Sequence, residues 1–112
     1  MSAGVSAGAV VAGCGGAAAP NARVASTTGA ITAAEEIGAK NDPQAALHLR
    51  MAQEQRQRAV ELMARGKNAE ASWMLARAQA DAELAIALAR EAQTRAAAEQ
   101  AISQIEDLKS QL

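Results

Sequence analysis

One cysteine and one histidine stand among 112 residues, so the groups able to do chemistry are few. Cys14 lies in "VVAGCGGAAAP", Val10 to Pro20, a run of very small residues. A lone cysteine has no second cysteine to pair with in this chain, so in an oxidising compartment it would stay a free thiol unless modified. His48 would need carboxylates alone around it to hold a metal. Glu35-Glu36 and Asp81-Ala82-Glu83 offer no further His or Cys at ligand spacing, and are expected to be solvated helix faces. Asp81 differs in lying close to an alanine seam, and the expected partner is Arg50 or Arg56 on an opposing arm. Ser72, Ser103 and Ser110 share no helical face with the histidine, which leaves no nucleophilic triad. No catalytic, cofactor-binding or metal-ligating residue is assigned, and neither an enzymatic activity nor a small-molecule substrate is expected.

Val11-Ala12-Gly13-Cys14 resembles the lipobox of bacterial lipoproteins. There an aliphatic residue and two small ones precede a cysteine that is acylated on its thiol, and the chain is cleaved just before it. Residues 1–22 are uncharged, and their Gly, Ala and Ser content makes them too weakly hydrophobic for a membrane span. The leader lacks the basic residue that a secretory n-region normally carries, which a start upstream of Met1 would supply. The resemblance implies lipidation at Cys14, removal of residues 1–13, and membrane attachment through more than one acyl chain. Gly15 stands where Asp acts as an inner-membrane retention signal in the better-known lipoproteins, so the resemblance favours the outer membrane, facing the periplasm. The stretch 14–26 then reads as a flexible tether of coil composition, with a reach of roughly 20 Å.

Whatever Cys14 does, helices must carry the rest. The chain has no Phe or Tyr and a single Trp. Aromatic rings supply much of the buried area of a compact core, so their scarcity points to elongated helices packed through Ala and Leu. A net charge of -1 provides no electrostatic basis for binding nucleic acid. "NDPQAALHLRMAQEQRQRAVELMARG" has Asp42 as N-cap, Pro43 at the first helical position and Gly66 where a left-handed C-terminal cap is wanted. Leu49, Ala52, Ala59 and Met63 form one narrow apolar seam, with the stem of Arg56 covering a gap in it.

After Gly66, Asn68 is placed to cap a second helix, and no Gly or Pro follows it. Its seam reads Leu75, Ala78, Ala82, Ala85, Ala89, Ala92 and Ala96, then drifts to Ala98, Ala101, Ile105, Leu108 and Leu112. A turn this short makes the two helices antiparallel neighbours. The expected fold is all-α: a long, coiled-coil-like helical hairpin over 27–112. Matching arm lengths predicts a first arm that continues upstream as a helix from Thr28 to Lys40, kinked at Asp42-Pro43. That register puts Ile31 near Ile102, Ala34 near Ala98 and Ala59 near Trp73, with the kink facing Arg90.

From Ile31 to about Leu108 the chain resembles the bacterial family called domain of unknown function 4398, small Ala-rich helical envelope proteins. The residues that carry the likeness are "AAEEIGA", "DPQAALHLRMAQEQ" and "GKNAEASWMLARAQADAELAIALA". The resemblance implies a lipoprotein or periplasmic helical module without an established activity. Some members precede an OmpA-like domain, which is not expected in cis here. The function expected is that of a structural or protein-interaction module of the bacterial cell envelope; the alternative is a soluble helical adaptor without lipidation. Trp73, Met74, Ile86, Leu88 and Ile102 cannot share one narrow stripe, which predicts a second apolar strip. Trp73, Leu84 and Leu88 are its expected interface residues, for a homo-oligomer or another envelope protein.

Overall fold

The computed structural model describes Gly4 and residues 16–112. Cys14, and the 1–13 leader apart from Gly4, lie outside that range. Three α-helices account for most of the described residues, and among these there is no strand. They are α1 (Asn21–Glu36), α2 (Pro43–Ala64) and α3 (Asn68–Ser110), with a single 3-10 turn, Ala39–Asn41, between the first two.

The hairpin of α2 and α3 forms where its caps predict. The Asp42 side chain accepts a hydrogen bond from the Ala45 N–H at 2.9 Å and Pro43 occupies the first helical turn. At the other end Gly66 adopts a left-handed φ of 73°. The Gly66 N–H donates to Met63 O at 3.0 Å and the Lys67 N–H to Leu62 O at 2.9 Å, so two otherwise orphaned carbonyls are satisfied and the helix stops. Leu49, Ala52 and Ala59 on α2 are buried against Ala71, Leu75, Ala78, Ala82, Ala85 and Ala89 on α3. Alanine on both sides removes the bulk that would hold the two helices apart.

The break near Asp42-Pro43 is present and faces the expected stretch of α3, since the Gln93 side-chain amide donates to Ile37 O at 2.6 Å. The chain does more than kink there. Gly38, with φ 85°, ends α1, the 3-10 turn follows, and α1 lies back along the hairpin instead of prolonging α2. Gln53 donates to Glu35 at 2.8 Å and Arg56 to the Thr28 hydroxyl at 3.3 Å, an order that makes α1 antiparallel to α2. Ile31 and Ala34 are therefore buried with Ala82, Ala85 and Ala89, not beside Ile102 and Ala98.

α1 also begins earlier than Thr28. It starts at Asn21 directly after Pro20, so only 16–20 of the described tether residues lack regular structure. The reason is tertiary: Val24 packs on the cluster of Ala59, Ala71 and Leu75, and the buried Thr27 hydroxyl donates to Leu75 O at 3.4 Å. Burial of that face outweighs a composition that by itself suggests coil.

The result is a three-helix bundle over the first half of α3, with the second half unaccompanied. Every residue from Gln93 to Leu112 is exposed, a projection of about five helical turns. The radius of gyration is 25.0 Å, nearly twice the value of about 13 Å for a compact domain of this size. Among the described residues, no helix is long and apolar enough to cross a membrane.

Candidate functional site

The one histidine has its place in a helix-helix contact. α2 presents His48 and α3 presents Asp81 at the same level of the hairpin, and Nδ1 lies 2.9 Å from Oδ1 in a part-buried setting. Asp81 thus meets His48, not Arg50 or Arg56. Arg50 is exposed, and Arg56 turns to Thr28 on α1. Sequence reasoning placed Asp81 on the seam but missed its partner, because that depends on how many residues the Gly66 turn consumes. The pair joins two helices through polar groups that packing would otherwise leave without partners. Among the described residues, no three His, Cys, Asp or Glu side chains converge as a metal site would require.

Among the described residues, shallow grooves lie between the helices. One is lined by Met51, Glu54, Gln55 and Arg58 of α2 with Met74 and Arg77 of α3. The Oε1 of Gln55 is buried beneath it without a hydrogen-bond partner. Another, beside the Asp42-Pro43 corner, is lined by Leu88, Glu91 and Arg95. Neither brings a nucleophile, a base and a charge-stabilising donor together in an enclosed volume, as the chemistry of a site would demand.

The surface features are on α3. Of the three expected interface residues, Trp73 is 77% exposed and Leu84 is 42% exposed, with Trp73 lining a groove beside Arg23 of α1. Leu88 behaves differently: it is half-buried at the edge of the cluster containing Ala85 and Ala89, and lines the groove beside the Asp42-Pro43 corner. Trp73 does not cover Ala59 as the expected register had it, because Ala71 and Leu75 occupy that position. Ile102, Ile105 and Leu108, on the projecting half of α3, are all exposed. Ile105 and Leu108 were expected on the hairpin seam, and Ile102 off it; the signal that separates this half from the seam is angular, since Ala98 is half a helical turn away from Ala89.

The path of the tether is the last element of the site. Asn68 does not cap α3 with its side chain; its Nδ2 donates to Ala17 O at 2.9 Å, which holds the segment leading to Cys14 beside the hairpin tip. Comparison with known proteins returns no matching family model, no matching curated protein and no matching solved structure.

Proposed function

We propose that the chain is a non-enzymatic interaction module of the bacterial envelope, tethered by acyl chains on Cys14 and presenting α3 to a protein partner. The observation that carries this reading is the polarity of the molecule: the tether is held at the hairpin tip through Asn68 and Ala17, while the opposite end of α3 projects unaccompanied with its apolar side chains exposed. An apolar strip kept in water is ordinarily a surface awaiting a partner. The lipobox-like residues before Cys14, the likeness to Ala-rich envelope proteins, and the engagement of His48 with Asp81 in a structural contact support the same reading.

Metabolic labelling with a radioactive fatty acid tests it. Label should enter the wild-type chain, be absent from Cys14→Ser, and accompany the protein into the membrane fraction through a high-salt wash. Equal incorporation in the two proteins, or none in either, would leave an untethered helical adaptor instead.

A further inference from the structure

α3 carries two apolar faces. At about 100° per residue, Leu75, Ala78, Ala82, Ala85 and Ala89 lie on the face that α1 and α2 cover. A second stripe runs down the opposite face from Trp73 through Leu84 and Ala98 to Leu108, at heptad spacing, and it is exposed throughout. α1 borders it only at the Trp73 end, where Arg23 lines a groove with Ser72, Trp73 and Ala76. We propose that this outer stripe is where a second copy of the chain docks, the two α3 helices lying antiparallel about a two-fold axis between Ala92 and Gln93.

That register makes the stripe complementary to itself. Leu84 of one copy meets Ala101 of the other, and Ile105 meets Ala80, so a large side chain faces a small one in each of these layers. Ala87 meets Ala98 and lets the helices approach. At the outer limits Trp73 meets the last residue, Leu112, while at the centre Glu91 meets Thr94, whose hydroxyl can donate to the carboxylate. By symmetry this contact occurs twice, with Glu91 also held by Arg95 of its own chain at 2.9 Å, and polar layers within an apolar seam fix register in helix pairs. Arg77, its stem over Leu108 of the second copy, reaches toward Glu106 of that copy.

A parallel pair would instead set Trp73 against Trp73, Glu91 against Glu91 and Ala80 against Ala80, alternating crowding, repulsion and void. The area is also sufficient. A stable pair needs about 800 Å² from each partner. Trp73, Leu84, Ile102, Ile105, Leu108 and Leu112 together expose on the order of that amount. The projecting half of α3 in each copy thereby gains the bundle half of the other as its support.

The inference deepens the interaction role proposed above but does not depend on lipidation, so the two can fail separately. Sedimentation equilibrium of the full-length chain under reducing conditions should return the mass of a dimer at micromolar concentration. Leu84→Glu and Ile105→Glu together should raise the dissociation constant by about tenfold or more, with unchanged helical circular dichroism because both side chains are exposed in the single chain. Orientation is read by cysteine cross-linking in a Cys14→Ser chain: Ala87→Cys mixed with Ala98→Cys should give a disulfide-linked heterodimer, and each alone should not cross-link. A monomer at these concentrations, an assembly insensitive to the paired glutamates, or self-cross-linking of Ala87→Cys would each overturn the proposal. Failure here with fatty-acid label retained on Cys14 would leave the tethered module intact and point to a different protein on α3.

Discussion

At the scale of single residues, alanine does most of the positioning. Ala52, Ala82 and Ala85 are fully buried where α1, α2 and α3 meet. Enlarging one of them should force the helices apart: Ala82→Leu should lower the unfolding free energy by about 1–3 kcal/mol. The same change at Ala98, which is exposed on the projecting half of α3, should leave the unfolding of the single chain within about 0.5 kcal/mol of wild type. Urea titrations of the two variants at a common dilution compare them directly. Where large side chains are buried they matter more, and Leu75→Ala should cost about 2–5 kcal/mol, because Leu75 is fully enclosed between Ala59, Ala71 and Val24. The seam alanines were legible from spacing alone. Trp73 was legible as a residue off the narrow seam, and it is 77% exposed; its expected place beside Ala59 was not, because that position follows from which residues the other helices select as their contact. His48 with Asp81 was hidden for a related reason, since a shift of a few residues in the turn exchanges one cross-hairpin partner for another.

At the scale of elements, two glycines decide the path of the chain. Gly66 reverses it between α2 and α3, and Gly38 reverses it between α1 and α2, both with positive φ. An added Cβ at Gly66 meets open space, while at Gly38 it would lie 3.0 Å from the Asn41 side chain. Alanine in a left-handed conformation costs about 1–2 kcal/mol, so both substitutions should destabilise, Gly38→Ala more than Gly66→Ala. Hydrogen exchange should show faster exchange in α1 for Gly38→Ala, with α2 and α3 less affected. The Gly66 signal was readable because helix formers flank it on both sides. Gly38 was not recognised as a stop, since the equal lengths of the upstream segment and the far half of α3 favoured a first arm that kinks at Asp42-Pro43 and continues along α3. What decides against that arm is packing that no local signal records: Val24, Thr27 and Ile31 find an alanine-lined surface near the tip, while the far half of α3 offers its apolar residues on the opposite side of the helix.

At the scale of the whole molecule, stability is unevenly distributed along one long helix. The first half of α3 is enclosed by two others, and from Gln93 onward it depends on its own backbone hydrogen bonds. Amides between Gln93 and Ser110 should exchange rapidly in dilute solution and become protected as concentration rises, whereas those around Ala82 should be protected at every concentration. Protection independent of concentration would mean that the projecting half is stable unaided. The hydrogen bond from Asn68 to Ala17 bears on a different matter. It holds Ala17 at the hairpin tip, so the proposed anchor, three residues upstream, is limited by chain length alone to about 10 Å from that point. In an antiparallel pair the two tips lie about 70 Å apart, at opposite poles, as the rise along α3 requires. Two acylated copies so joined cannot both stand upright in one leaflet. They must either lie flat along a single bilayer or act as a strut of set length that holds two lipid surfaces at a constant gap.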